Sequence, residues 1–412
     1  MAGESAASDA GEGIGVAAAG DFAAGAVSDG SDSAEIGVVT AIRRTLGNSA
    51  AYGKRIPLTR HPRYNERLTN MRSITFLSVI VVLFAASVAP AEEIKIATYN
   101  VEVWNDSFAA HAATSQPIAK DPAGADLLRI LRRENDEDNW EVAQTILDKN
   151  FDPDILVIQE GPDQSDLRFF NRRWMNDAYD TVQTLPSNTD RNQNLCVLMK
   201  KGFRILARKD QYHNEGDPGG GNSRGSRLFA RGPVFLLVQS PGGKKFWVGT
   251  THQKSKNPGI APDASGKRPA ENSPEVMAKK VEDSKWRNRE AARTHQIIKE
   301  IEKAGPPDVI LLGDMNDAVG MDDAEKQAGA DSIATLVGPP ADGLMLATQP
   351  LVDAKKFSFH NYDDTRYREL IDHVVVTKSM QPRIVEVKVV DDVPLARVAS
   401  DHYPVMVKLK VD

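Results

Sequence analysis

The feature that most constrains the fold is a unit of strand, helix and buried strand that occurs twice. The helical patterns cover residues 139–151 and 289–305, and each leads through a Pro-Asp pair into an apolar strand. The strands of the two units, in order, are KIATYN, ILVIQE, KFWVGTTH and VILLGD. Because continuous apolar strands are buried on both faces, each half needs helices over its sheet. Two such halves packed together predict a layered sandwich with one cleft.

Five further strand-like runs lack a helical period, and glycine- and proline-rich insertions separate some of them. The insertions span residues 210–226 and 257–274. Loops of this length in a compact domain are usually functional or disordered. The additional strand-like runs are LCVLMKK, PVFLLVQS, LIDHVVVT, RIVEVKVV and HYPVMVKLKV.

A segment with the pattern of a secretory signal begins at Met71. Arg72 precedes an apolar run over residues 74–86, and Ala89-Pro90-Ala91 follows with the small residues that a signal peptidase accepts. The segment Met71 to Ala91 is therefore predicted to be a signal peptide, or a signal anchor if it is not cleaved. Residues 1–70 are predicted to be disordered or a mis-annotated extension, because their first 50 residues have few large apolar side chains.

Residues 92–412 remain as one exported domain, which is expected to be secreted or periplasmic and to lack stable membrane insertion after cleavage. The chain has a formal net charge of −6, so no overall basic field attracts it to nucleic acid or anionic lipid. Cys196 is the only cysteine, which excludes an intrachain disulfide. Its position between apolar residues predicts a core side chain rather than a nucleophile.

Polar side chains collect at the ends of the predicted strands. A carboxylate that closes an apolar run is costly when buried without a partner, and a cation relieves that cost. Oxygen ligands without a cysteine cluster favour Mg²⁺, Mn²⁺ or Ca²⁺. Two histidines beside such an ion divide proton transfer between them. This set predicts metal-assisted phosphoryl transfer to water, and its members are Asn100, Glu160, His252, Asp314, Asn316, Asp372, Asp401 and His402.

Six ordered motifs together resemble the endonuclease/exonuclease/phosphatase superfamily, the DNase I-like fold. The resemblance runs from about Ile94 to the C-terminus, and GDMND and SDHYPV are its most specific parts. It implies an α+β fold, a four-layer α/β/β/α sandwich of two mixed β-sheets flanked by helices. The motifs are ATYNVEVW, LVIQEG, GTTHQKSK, LLGDMND, LIDHVV and SDHYPV.

The resemblance implies a metal site and a role for each of its ligands. Glu160 is then the principal metal ligand, and Asn100 helps to hold the metal or the phosphate. Asp401 adds to the metal site or orients its neighbours. The expected ion is Mg²⁺ or Mn²⁺, with Ca²⁺ as an alternative.

The same resemblance implies the proton-transfer residues. His402 accepts a proton from the attacking water, and Asp372 fixes the tautomer of His402. Asp314 positions that water, and Asn316 donates a hydrogen bond to the scissile phosphate. His252 supplies a donor to the developing charge or protonates the leaving oxygen. An acidic residue or tyrosine that supports the central histidine in the nuclease branch is not evident.

The substrate prediction depends on one basic stretch. Residues 244–293 contain 12 Lys and Arg against 6 Asp and Glu, which suits a polyanion backbone but is equally typical of a solvated surface. Lys254, Arg231 and Arg289 are the predicted substrate-binding residues. A nuclease that acts on DNA or RNA is predicted, because the THQKSK form resembles secreted bacterial nucleases of the superfamily.

Three alternatives stay open beside the nuclease. A sphingomyelinase-like enzyme would act on a phospholipid head group, and that branch usually carries an exposed apolar hairpin, whereas the insertions here are polar. A sugar-phosphate or inositol-phosphate phosphatase would act on a small phosphate ester. An inactive binding module would have lost at least one catalytic position, and no such loss is found.

Overall fold

The computed structural model describes residues 91–102, 137–188, 193–219, 226–261, 267–360 and 367–411. The predictions for residues 1–70 and for the signal peptide up to residue 90 lie outside these ranges. Parts of both insertions, residues 220–225 and 262–266, also lie outside them. No helix within the described ranges combines the length and the apolar character needed to cross a membrane.

The strands of the described ranges form three sheets. In chain order they are β1 Glu92–Asn100, β2 Ile155–Gly161, β3 Thr181–Leu185, β4 Asn194–Met199, β5 Arg204–Lys209, β6 Val234–Gln239, β7 Lys245–His252, β8 Val309–Asp314, β9 Leu344–Leu346, β10 Phe359–His360, β11 Arg368–Glu369, β12 Asp372–Thr377, β13 Ile384–Val389 and β14 Val405–Val411.

Helices cover the outer faces of these strands. The described part of α1 spans residues 137–147. The others are α2 Gln164–Trp174, α3 Pro274–Ala304, α4 Asp323–Ala328, α5 Ser332–Val337, α6 Gln349–Asp353 and α7 Ala396–Ala399.

Each half of the described domain is a mixed six-stranded sheet built around one parallel pair. The first sheet has the order β13-β14-β1-β2-β4-β3, and the second has the order β5-β6-β7-β8-β12-β9. The parallel pairs are β1 with β2 and β7 with β8, and the other neighbours are antiparallel. The two strand pairs of the repeated sequence unit therefore form the centres of the two sheets.

Three apolar clusters define four layers. One lies between the sheets and joins residues such as Ile96 and Val157 of the first to Val248 and Ile310 of the second. The other two join the outer face of one sheet to α1 and α2, and the outer face of the other to α3 and α5. Each fully buried Ile or Val contributes about 1.5–3 kcal/mol. The predicted four-layer α/β/β/α sandwich is confirmed.

Helix α3 is longer than its apolar pattern predicts. The pattern covered residues 289–305, whereas α3 begins at Pro274, after Ser273 accepts a hydrogen bond from Val276 N at 3.3 Å. Its first turns are rich in lysine and are held by ion pairs such as Lys279 with Asp283 at 3.0 Å. An apolar period cannot reveal turns that pack through charged groups.

Candidate active site

The two parallel strand pairs end at one place and bring four predicted residues together. Asn100 ends β1, Glu160 lies near the end of β2, and His252 and Asp314 end β7 and β8 as register partners. The Asn100 amide donates to Asp314 Oδ2 at 3.0 Å and so joins the two sheets. The strand-end side chains of the two sheets therefore meet at one edge of the sandwich.

A second buried polar link joins the two sheets deeper in the core. Thr98 Oγ1 donates to Gln159 Oε1 at 2.8 Å, and Gln159 Nε2 donates to Thr250 Oγ1 at 3.1 Å. All three side chains are buried. Fully satisfied buried networks specify one arrangement of the groups around them, so this link fixes how the strand ends of the two sheets face each other.

Asp314 is the most heavily bonded carboxylate of the site. Its Oδ1 accepts from Asn316 N at 2.7 Å, and its Oδ2 accepts from the Asn316 amide at 3.1 Å. Asn316 has φ 52°, a left-handed conformation that turns its side chain back towards Asp314. Burial acts to raise the pKa of Asp314, but the hydrogen bond from His252, the charge of His402 and the bond from Asn316 N hold it well below its usual range.

His402 and Asp372 form a buried pair. His402 Nδ1 lies 2.7 Å from Asp372 Oδ2, and since a carboxylate only accepts, Nδ1 carries the proton. Asp372 is the antiparallel register partner of Asp314, so the pair lies beside the strand-end group. Burial acts to lower the pKa of His402, but Asp372, Asp314 and Asp401 more than offset it and raise the pKa to about 10.

The loop before His402 is tied to the end of β1. Ser400 Oγ donates to Asn100 O at 2.7 Å and accepts from His402 N at 3.0 Å. Phe359 forms an isolated β-bridge with His402, and the two rings lie 5.2 Å apart. These contacts hold His402 from three sides, which a group that transfers a proton requires.

His252 lies in a different environment from His402. Its Nε2 is 3.2 Å from Asp314 Oδ2 and 3.8 Å from Glu160 Oε1, and its ring is buried. Its Nδ1 has no hydrogen-bond partner among the described residues. Burial and the nearby charge of Arg231 lower the pKa of His252, against the opposing pull of Asp314 and Glu160.

Three carboxylates crowd the mouth of the site. Asp401 N donates to Glu102 Oε2 at 3.0 Å, and Glu160 Oε2 accepts from Gln193 Nε2 at 3.0 Å. Burial, together with repulsion from Glu102, Glu160 and Asp314, raises the pKa of Asp401 to about 7. Burial also raises the pKa of Glu102, with further repulsion from Glu160.

The chemistry of this donor set fits a hard divalent cation. Oxygen ligands that repel one another are stabilised when a cation lies between them. Within the described ranges, no group of three or more His, Cys, Asp or Glu side chains already has the arrangement of a metal centre. Asn100, Glu160, Asp401 and Glu102 are the residues that would hold such an ion.

The family model described as Endonuclease/Exonuclease/phosphatase family matches residues 97–402. The chain belongs to this family. Its members are phosphoester hydrolases, so the chain is assigned to that class of enzyme. Comparison with the curated proteins gives no match.

Solved structures similar to this family member include two from different organisms. Truncated Caenorhabditis elegans TDP2 is 16% identical, covers 77% of this chain and 98% of its own, and has a TM-score of 0.46. Bacteroides thetaiotaomicron mannosyl-6-phosphatase is 16% identical, with coverages of 76% and 98% and a TM-score of 0.46. Values this low carry no inference about substrate or metal.

The three predicted substrate-binding residues of this family member have partners within the protein. Lys254 is buried, with its ammonium 3.0 Å from Asp283 Oδ2. Arg289 forms a bidentate pair with Asp217 at 2.8 and 2.7 Å. Arg231 is 4% exposed and donates to backbone carbonyls. Acidic groups and carbonyls distant in sequence meet these side chains, and their direct contact with phosphate stays a prediction.

The basic stretch 244–293 is also largely neutralised. Lys256 lies 2.9 Å from Asp317 Oδ1, and Arg287 lies 2.8 Å from Glu325 Oε1. Arg293 pairs with Glu215 at 2.7 Å. Four of the twelve basic side chains of the stretch, Lys256, Arg287, Arg289 and Arg293, are therefore paired with acidic residues outside it.

Two acidic residues of the site region were missed. Glu102 follows Asn100 by two positions in the first motif, and that position at a strand end was the available signal. Glu290 lies four residues from both Trp286 and Thr294, on the buried face of α3. A carboxylate on an otherwise buried helix face signals a specific partner.

Proposed function

We propose that this protein is an exported, divalent-metal-dependent phosphodiesterase. The observation that carries the proposal is the His402–Asp372 pair at 2.7 Å beside the crowded carboxylates Glu160 and Asp401. An imidazole held by a buried carboxylate is the arrangement of a general base. The export part depends on the sequence Met71 to Ala91 alone.

Proton abstraction from water is assigned to His402 Nε2. Asp372 keeps the proton on Nδ1 and stabilises the imidazolium that forms after transfer. Asn100, Glu160 and Asp401, with Glu102, would hold the cation, which when bound would polarise a phosphoryl oxygen and whose charge would lower the pKa of His402. Asp314, kept ionised by its hydrogen bonds, orients the attacking water.

Stabilisation of the developing phosphate charge is assigned to His252 and Asn316, which would redirect to phosphate the N–H groups that now bond Asp314 and Gln253. The lowered pKa of His252 favours a neutral ring, so the ring acts as a hydrogen-bond donor in preference to an acid. Donors aimed at developing charge in a site without water are each worth about 3–4 kcal/mol.

Nucleic acid is the first substrate to test, on the strength of the THQKSK resemblance. Several basic side chains of residues 244–293 are ion-paired, which weakens the argument for a surface that binds a nucleic-acid backbone. A sphingomyelinase-like activity and a sugar-phosphate or inositol-phosphate phosphatase are the alternatives, and an inactive binding module is the third.

The test is hydrolysis of supercoiled plasmid, RNA and bis(p-nitrophenyl) phosphate by the purified protein with Mg²⁺ or Mn²⁺. The variants are His402→Ala and, as a matched control, His295→Ala. The His295 ring, on α3, lies 2.9 Å from Leu336 O. The proposal expects activity that EDTA and His402→Ala abolish and His295→Ala leaves intact. Activity that survives both EDTA and His402→Ala would contradict the mechanism. Inactivity on these substrates would move the test to sphingomyelin and phosphorylated sugars.

A further inference from the structure

We propose that Glu290, on α3, is a positioning residue for His252. The proposal rests on the role of His252 given above. Glu290 Oε1 accepts from Ala230 N at 2.6 Å, and Glu290 Oε2 accepts from Lys254 N at 2.8 Å. Ala230 lies next to Arg231, and Lys254 follows His252 by two residues. One carboxylate thus joins the backbone segment that carries His252 to the segment that pairs with it.

Arg231 also holds the backbone segment that carries His252. Its guanidinium donates to His252 O at 3.4 Å and to Gln253 O at 3.1 Å. His252 N in turn donates to Arg231 O at 3.3 Å. The Asn316 amide also donates to Gln253 O, at 3.1 Å. The backbone from His252 to Lys254 is therefore bonded from three elements, and Glu290 sets the separation of two of them.

Neighbouring positions on α3 reinforce these contacts but do not duplicate them. The Trp286 indole donates to Leu228 O, and Arg287 Nη1 donates to Lys254 O at 3.4 Å. Each of these side chains reaches one of the two segments, whereas Glu290 reaches both. Removing the Glu290 link would free the segments to move apart without releasing either from the helix.

The chemical identity of Glu290 suits this bridging. It is 1% exposed, and each of its oxygens accepts one backbone N–H. A glutamine in its place has one acceptor oxygen and an NH₂ group, so one of the two N–H donors would face another donor. Buried carboxylates are costly, and burial raises the pKa of Glu290 to about 7 even though two N–H bonds and two arginines act against the rise.

The experiment is a double-mutant cycle of Glu290→Gln with His252→Ala, read as kcat and KM on bis(p-nitrophenyl) phosphate with Mn²⁺. If Glu290 acts through His252, Glu290→Gln lowers kcat about 10²-fold with little change in KM, and has under about 3-fold effect when His252 is already alanine. Mn²⁺ affinity measured by calorimetry stays within about 3-fold of wild type.

Asp308→Asn is the matched control. Asp308 is a buried carboxylate 2.9 Å from Arg383, and it lies at the end of the second sheet opposite to the site. Its substitution should leave kcat unchanged. If Glu290→Gln does not fold, Glu290→Asp, which keeps the charge and shortens the side chain, must give the same kcat loss.

Three results would overturn the proposal. One is an equal effect of the Glu290 variant in both His252 backgrounds, and another is a change confined to KM. The third is a loss of Mn²⁺ binding together with activity, which indicates general disruption of the site. Failure of the proposed function gives a different result from these three. In that case the wild type is inactive, or His402→Ala is as active as the wild type.

Discussion

His402, in the loop before β14, and His252, at the end of β7, both lie near Asp314, yet their surroundings shift their pKa values in opposite directions. His402 has Asp372 at 2.7 Å on Nδ1, and its pKa rises to about 10. His252 is buried beside the Arg231 charge, its Nδ1 has no partner in the described part of the chain, and its pKa falls. One residue type is thus prepared for two different tasks.

The difference teaches that the partner of each ring, rather than the ring itself, assigns the role. A buried carboxylate favours the imidazolium that forms when His402 takes a proton. Burial and the nearby Arg231 guanidinium disfavour charge on His252 and leave it a neutral donor. Titratable groups whose environments push their pKa values apart identify the proton-transfer assignments of a site.

Removal of His402 should have the largest effect. His402→Ala is expected to lower kcat/KM by about 10³–10⁴-fold, because general-base catalysis is lost together with the tautomer control by Asp372. Steady-state hydrolysis of bis(p-nitrophenyl) phosphate with Mn²⁺ measures it. A loss under about 10-fold would remove His402 from the chemistry.

Asp372→Asn tests the partner of His402 without removing the ring. We expect a loss of about 10²–10³-fold, because the amide no longer stabilises the imidazolium. Loss of the negative charge lowers the pKa of His402, so the acidic limb of the pH–rate profile should move to lower pH. If the acidic limb does not move, Asp372 does not control the pKa of His402.

Two substitutions at His252 distinguish a neutral donor from an acid. Removal of the donor in His252→Ala should cost about 10²-fold in kcat. His252→Gln keeps an N–H donor, so its loss should be about 10-fold. If glutamine is as damaging as alanine, the ring acts by transferring a proton and the contrast between the two histidines fails.

Asp401→Asn should change stability by a smaller amount, and in the favourable direction. The pKa of Asp401 is about 7 in the folded protein against a usual value of 3.8, so the stability that its protonated form provides is full below about pH 4 and is lost as pH rises through 7. In EDTA at pH 8 the asparagine should therefore stabilise by on the order of 1–2 kcal/mol, with a gain that fades towards pH 4.

Urea unfolding at pH 8 and at pH 5 provides the measurement for Asp401→Asn. Lys388→Ala, which removes a surface ion pair of 3.5 Å with Asp392, is a control with a change near zero. Destabilisation by Asp401→Asn at pH 8 would show that the carboxylates at the mouth of the site do not repel one another.

The fold was predictable because its information is local. The runs KIATYN, ILVIQE, KFWVGTTH and VILLGD predict buried strands, and the polar residues at their ends indicate the site. The same reasoning placed Asn100, Asp314 and His252 at one edge, where they now lie within hydrogen-bond or ion-pair distance.

Charge pairing was not predictable in this way. Arg289 meets Asp217, and Lys256 meets Asp317, across separations of some 60 residues or more, and no local pattern encodes such partners. The same holds for Glu290, whose two bonds reach backbone on two distant loops. The partner of a charged side chain depends on tertiary packing, so a run of basic residues does not establish a basic surface.

The most direct test of the central contrast is the protonation of the two rings in the metal-free protein. Long-range ¹H–¹⁵N NMR of protein labelled with ¹⁵N-histidine reports each ring, with signals assigned by their loss in His402→Ala and His252→Ala. At pH 8 we expect His402 to be a doubly protonated imidazolium that titrates near about 10, while His252 is neutral. A neutral His402 or a charged His252 at that pH would contradict the account.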